Sequence, residues 1–405
     1  MYLTLAWRNV WRNKRRTIIT MSSIGFAVFF ACVMQSMQMG VYERMIDNTV
    51  RFSTGHLQIH SKGFWDEKVI DNSMQWNGNE DLSNLPALSP KIQALAPRLE
   101  SFALASYGDK TKGVMVVGID PEKEEQITQL SSKLEKGTYF KNGGVQIGKD
   151  LAAFLELGVG DTLVLISQGY HGVSAAGKFV IDGIMKFPNP AFNQQGVFMR
   201  LPEAQYFYGA ESLITSLSIL LESSDDVIPV QQRISSNLEM EEYEVMTWEE
   251  MMPELVQGIE LDYYGGLVMI MILYAVIAFG IFGTFLMMTK ERNYEFGILT
   301  AVGMKKFKIQ WMVFIEIIML TALGVLAGVL VGMPLLTYFY YNPIYLSGEI
   351  AKVYENFGFE AIIPFSLQPS IFVRQGVIVL TIAMLLGAYP MYAIQSLKTV
   401  KALRE

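Results

Sequence analysis

Four blocks of the chain lack the polar positions that a water-facing element needs. Residues 17–42 and 263–289 hold no charged residue, residues 309–348 hold only Glu316, and residues 375–397 hold none. A helix on the surface of a soluble core turns a polar face outward every third or fourth residue, and none of these blocks does. At ~1.5 Å per residue, about 20 residues cross the hydrocarbon core of a bilayer, so each block is long enough to span it. Four transmembrane helices are therefore predicted. The first 13 residues read differently. Leu3, Ala6, Trp7, Val10 and Trp11 recur at helical spacing, with Arg8, Asn9, Arg12 and Asn13 on the other face. Such a helix lies in the headgroup region, its tryptophans at the apolar boundary and its arginines toward anionic lipid.

Residues 43–262 alternate between short apolar runs and turn residues, which predicts an α+β domain large enough for two subdomains. Strands are expected at 56–60, 113–119, 161–166, 179–184 and 243–246. Helices are expected over 148–157, ending before Gly158 and Gly160, and over 225–237; Ser89-Pro90 is expected to open a third, with Pro90 in its first turn. No internal repeat or low-complexity linker interrupts them. The expected division is an elbow helix at 1–16, spans at 17–42, 263–289, 309–341 and 373–397, the large domain at 43–262, a coupling segment at 290–308, an outer loop at 342–372 and a tail at 398–405.

Composition supports this division. Hydrophobic residues make up 51% of the chain and charged residues 18%, against about a quarter charged in soluble proteins. Charge then sets the orientation. Segments 1–16, 290–308 and 398–405 together hold thirteen basic and three acidic residues, whereas 43–262 holds 17 Lys/Arg and 32 Asp/Glu. The positive-inside rule places both termini and the 290–308 segment in the cytoplasm and the large domain outside. The first block is expected to be retained as a span and not cleaved as a signal peptide, because its apolar run far exceeds the ~7–15 residues of such a region. Cys32 is the sole cysteine, so no internal disulfide forms.

Bond-making chemistry finds no support. Gly172-Val-Ser-Ala-Ala-Gly177-Lys178 has phosphate-loop spacing, but Phe179 stands where a magnesium ligand is needed and a strand follows instead of a helix. His56 and His60, on one face of a strand, lie about 13 Å apart. The acidic run 239–244 reads as a solvated face. Neither a catalytic nor a metal site is expected. Glu316 is the one acid inside a span, and a buried charge is costly enough to mark function by default. Two readings stay open for it: a functional site, or a group protonated or paired inside the bundle.

Several segments resemble one family, the FtsX/MacB-type permeases of ATP-binding-cassette transporters. Leu5-Ala-Trp-Arg-Asn-Val-Trp-Arg-Asn-Lys-Arg-Arg-Thr17 resembles their elbow helix and the start of their first span. Glu291-Arg-Asn-Tyr-Glu-Phe-Gly-Ile-Leu-Thr-Ala-Val-Gly303-Met-Lys-Lys306 resembles their coupling segment, and the end from Ala388 to Glu405 is also similar. Gly144 to Ala152, Leu157 to Asp161, Phe198 to Gln205 and Thr247 to Glu250 resemble the lipoprotein-releasing branch, LolC and LolE.

The resemblance implies a MacB-like permease architecture in a bacterial inner membrane. It implies no enzyme activity and no cofactor in this chain, since ATP and Mg are bound by a partner ATPase dimer, and it implies a second permease chain, identical or related. No nucleic acid is expected as a partner, and membrane lipids are. The coupling residues it implies are Glu291, Arg292, Glu295, Phe296, Gly297, Gly303, Lys305 and Lys306. The interface residues expected on the elbow are Trp7, Arg8, Trp11 and Arg12. Met34 and Met37 on the first span and Leu267 and Met271 on the second are candidate walls of a cargo cavity, because methionine adapts to chains of varied shape. LolC-like permeases carry a hook that recruits a periplasmic carrier; Ser167 to Lys178 occupies its place and is short. Lipoprotein release is the leading expectation. The alternatives are MacB-like export of peptides or small molecules and FtsX-like regulation of a cell-wall hydrolase.

Overall fold

A computed structural model of the chain describes residues 2–50, 54–76, 79, 82, 84–141, 143–187, 189–356 and 361–397. The expected tail at 398–405 lies outside the described residues. The chain divides into a helical unit, Met1–Arg44 with Gly258–Tyr345 and Ile362–Glu405, and a globular unit, Met45–Gln257 with Leu346–Ala361. The helical unit starts with α1, Tyr2–Arg12, which ends at a turn before α2, Lys14–Thr49. That turn is stitched by the Thr17 hydroxyl, which donates to the Val10 carbonyl. The apolar stripe of α1 splits. Ala6 and Val10 are buried, while Trp7 and Trp11 stand exposed with their rings edge to face.

In the globular unit the strands are β1 (Leu57–Ser61), β2 (Met74–Gln75), β3 (Ile92–Tyr107), β4 (Lys110–Ile119), β5 (Leu134–Gly137), β6 (Val145–Gly148), β7 (Thr162–Gln168), β8 (Ser174–Met185), β9 (Gly196–Arg200), β10 (Leu213–Ile214), β11 (Ser216–Leu221) and β12 (Tyr243–Thr247). Among the helices packed against them are α3 (Pro121–Thr128), α4 (Lys149–Leu155), α5 (Leu201–Tyr208) and α6 (Val227–Ser235). The strand pairings close on themselves in the order β3–β4–β9–β6–β8–β7–β3. β3, sixteen residues long, also carries a three-strand arm. Its first half pairs with β11, which is followed by β1 and β12. Ring and arm share a continuous apolar core that includes Leu57, Leu99, Val116, Leu165 and Leu217.

The helix expected from Ser89-Pro90 does not form. Pro90 instead stands two residues before β3, and a helical turn lies earlier, at Leu85–Leu88. The signal of Pro in a first turn is local; burying Ala94, Ala96 and Leu99 against β11 and β4 outweighs it. Gly172–Lys178 belongs to the β7–β8 hairpin, with Gly177 inside β8. His56 and His60 are both buried. The His56 Nδ1 accepts from the Leu221 amide at 3.1 Å and its Nε2 lies 3.2 Å from the Ser224 hydroxyl, while the His60 Nε2 lies 2.8 Å from Gln58 Oε1.

The chain returns through α7, Pro253–Glu291, followed by α8 (Asn293–Ala301), α9 (Lys306–Tyr341), α10 (Pro369–Leu386) and α11 (Ala388–Gln395). Among the described residues four helical stretches are long and apolar enough to cross a membrane: Thr17–Asn48, Pro253–Glu291, Lys306–Tyr341 and Pro369–Gln395. In hydrocarbon, where apolar burial drives nothing, helices associate through close backbone approach at small residues. Here a Cβ on Gly328 of α9 would sit 2.4 Å from the Gly25 carbonyl oxygen of α2. At the far end of α2, the segment ahead of α10 is pinned by hydrogen bonds. The Ser366 amide donates to Ser36 O at 2.9 Å, and Glu43 Oε1 accepts from Ser366 Oγ and Gln368 Nε2, each at 2.8 Å.

Candidate functional site

The best-defined constellation of charge in the helical unit lies where α1, α8 and α9 meet. Between the end of α7 and the start of α8, Arg292 turns its side chain inward, 4% exposed. Its Nη1 donates to Glu316 Oε2 at 2.6 Å, its Nε to Glu295 Oε2 at 3.2 Å, and its guanidinium lies 5.2 Å from the Phe296 ring centre. Glu316 is wholly buried on α9. Of its two open readings, the geometry selects the paired one. One partner, Arg292, is a residue of the coupling segment itself. Glu295 also accepts from Arg12 of α1. Four side chains of alternating sign, Arg12, Glu295, Arg292 and Glu316, thus tie three helices together.

The electrostatics agree at the outer members. Burial pushes the Glu295 carboxyl up, but hydrogen bonds and charge from Arg12 and Arg292 outweigh it and hold Glu295 below the usual range. Arg12 is held above its ordinary value by its hydrogen bond to Glu295. The inner pair is the costly one. Two charges removed from water lose several kcal/mol each in hydration, and only close geometry with further hydrogen bonds offsets that.

Behind Arg292, α8 divides into two faces. Phe296 and Gly297 are buried; Tyr294 and Ile298 are exposed, in line with Glu291 at the end of α7 and with Val302 just past α8, which is 83% exposed. Phe307, 69% exposed, and Lys305 extend that surface. α8 stops in a Schellman turn: the Met304 amide donates to Leu299 O at 3.0 Å and the Gly303 amide to Thr300 O at 3.1 Å. Gly303 takes φ 99°, a left-handed backbone that favours glycine. Lys306 serves elsewhere. Its Nζ donates to the carbonyls of Gln395 and Leu397, each at 2.8 Å, and so caps the end of α11. A single short helix, anchored by a buried ion pair and offering a mixed apolar and charged face, is suited to seat in a groove of a soluble partner.

Comparison with known proteins places this architecture. Residues 17–237 match the MacB-like periplasmic core domain, and residues 267–398 match the FtsX-like permease C-terminal domain. The chain belongs to the FtsX/MacB-type permeases of ABC transporters. Proteins of this family are permease subunits and in general not catalytic. Among its relatives, the lipoprotein-releasing system transmembrane protein LolC of Xylella fastidiosa is 22% identical over 62% of this chain. LolE of Haemophilus influenzae is 21% identical over 74% of it. The matches span 62% of the length of that LolC and 73% of that LolE. The periplasmic region of MacB from Actinobacillus actinomycetemcomitans aligns with 53% of this chain and 97% of its own, at 16% identity and a TM-score of 0.36, too loosely to bear on function.

In this permease the remaining expected residues divide as follows. Trp7 and Arg8 are exposed on α1, as is Trp11, with Arg12 in the ion cluster. Met34 is half-buried, and Met37, Leu267 and Met271 are exposed surface of α2 and α7. These two helices touch at the end concerned: Tyr42 donates to Asp262 Oδ2 at 2.7 Å, and Gly266 packs against the Gln38 side chain. The β7–β8 hairpin continues regular pairing to Gln168 and Ser174, so only a five-residue tip remains. That tip is drawn in, its His171 amide donating to Asp71 Oδ1 at 2.7 Å.

Proposed function

We propose that this permease transmits ATP-driven motion from a separate cytoplasmic ATPase dimer to the globular domain, and that its cargo is lipoprotein in the outer leaflet of the inner membrane. The observation that carries the first part is the ion cluster beneath the exposed face of α8. A push on that face reaches α1 through Glu295 and α9 through Glu316, and α8 follows directly on the uninterrupted α7. Orientation, with both termini cytoplasmic and the globular domain periplasmic, rests on the charge pattern, and the ring and arm of strands are taken as its two subdomains. A second permease chain completes the assembly.

The cargo reading leans on the relatives named for lipoprotein release and on the exposed apolar walls of α2 and α7. Each CH₂ of an acyl chain dragged through water costs about 0.8 kcal/mol, so acylated cargo needs an apolar route between those helices. The test is a photo-crosslinker at Met37 or Leu267 in native membranes. Capture of acylated lipoprotein, and a block of its release by Met37→Asp with assembly intact, is the expected result. Capture of non-acylated peptide with lipoprotein release unchanged would favour export of peptides from the periplasm. The drawn-in β7–β8 tip favours that second reading, since it offers little for a carrier to grasp.

A further inference from the structure

A pocket of about 210 Å³ opens in the globular unit beside β1, β3, β4 and β9. On its floor Arg98 is committed to Glu124, through Nε at 3.0 Å and Nη2 at 2.7 Å, and both side chains are buried. One wall is three phenylalanines in mutual contact: Phe187 stacks on Phe198 at 5.1 Å between ring centres, with Phe192 within 6.0 Å of both. On the rim stands Lys68. Its backbone is left-handed, φ 53°, and its amide is fixed to Phe64 O at 2.7 Å. Its half-buried ammonium lies over the Trp65 ring, and among the described residues no carboxylate comes within the 4 Å of an ion pair.

A ring face offsets part of a positive charge but leaves the ammonium's three N–H donors without a true acceptor. The opposing Glu100 is drawn toward Arg98 instead, at 3.8 Å. We propose that this pocket binds a small acidic amphiphile, its anionic group on Lys68 and its apolar body against Phe187, Phe192 and Phe198. Size fits one ring with a short acidic arm, because a cavity of about 150 Å³ already admits benzene. Two further facts agree. Burial lowers Lys68 to about 8, which still leaves the ammonium dominant at neutral pH. Burial also holds Glu100 above the usual carboxylate range, although Arg98 and Lys68 pull the other way. The site lies within the globular unit and does not depend on which cargo the permease moves.

The test uses the full chain in lipid nanodiscs and para-fluorophenylacetate as the probe, followed by fluorine NMR. Saturable binding is expected, weakened about tenfold by Lys68→Met and kept by Lys68→Arg, since the interaction is a charge-assisted hydrogen bond. Glu100→Gln, which removes the opposing charge, should tighten the acid. Absence of saturable binding, equal binding in Lys68→Met, or equal affinity for para-fluorophenethylamine would overturn the assignment. So would weaker binding of the acid to a folded Glu100→Gln.

Discussion

Arg292–Glu316 in the helical unit and Arg98–Glu124 in the globular unit are both buried arginine–carboxylate pairs, yet they connect different things. Arg98 and Glu124 sit 26 residues apart on β3 and α3, a strand and the first helix after the β3–β4 hairpin, and brace a single core. Arg292 joins a loop to a span, and through Glu295 the chain of charges reaches Arg12, 283 residues from Glu295. Helices in a bilayer gain little from apolar burial against each other, so close backbone packing and directional contacts such as this one hold them together. In the globular unit an apolar core already enforces that. The same chemistry is thus a brace in one unit and a joint in the other. Burial alone does not tell them apart; the elements connected do.

Breaking the joint should have the largest effect. Arg292→Ala breaks the buried Arg292–Glu316 ion pair, at a cost of about 3–5 kcal/mol. The thermal midpoint of the purified protein should fall and ATPase stimulation should vanish; exchanging the charges, Arg292→Glu with Glu316→Arg, should restore part of both. Breaking the brace comes next. Glu124→Gln keeps one acceptor for Arg98 and should cost about 1.5–3 kcal/mol, with retention of the ATPase unchanged. Loss of the ATPase on that substitution would erase the distinction between brace and joint.

Smaller effects sharpen it. Gly303→Ala meets no atom within 4 Å, so only its left-handed backbone resists, at about 1 kcal/mol. Gly303→Pro cannot reach φ 99° at all and should uncouple ATP hydrolysis while the protein stays inserted. The smallest effect is on pH. Because Glu295 is held below the usual range, its contribution is complete above the ordinary glutamate value and fades as pH falls through the depressed one. Wild type should therefore loosen in acid more steeply than Glu295→Gln in a pH series of thermal midpoints.

Much of this is legible along the chain, because four long apolar blocks, charged only at Glu316, and an amphipathic opening follow from the residue pattern alone. Periodicity predicts one apolar stripe on the elbow; packing splits it, since Ala6 and Val10 are small enough to bury closely and Trp7 and Trp11 are not. Glu316 was visible as an intramembrane acid but its partner was not. Sequence spacing cannot tell which of five basic residues in 290–308 turns inward. Lys306 looked like its neighbours for the same reason, and only the fold brings it to the end of α11. Lys68 gave no signal, because its setting depends on a left-handed turn and on phenylalanines more than a hundred residues away.

The proposed seat of the ATPase is the exposed face of α8. Ile298 and Val302 are both exposed, so Ile298→Asp with Val302→Asp should leave the thermal midpoint of the permease unchanged. Purified from its own membranes, the variant should emerge without ATPase and without cargo-stimulated ATP hydrolysis. Full retention of both in the variant would rule out α8 as the seat of the ATPase.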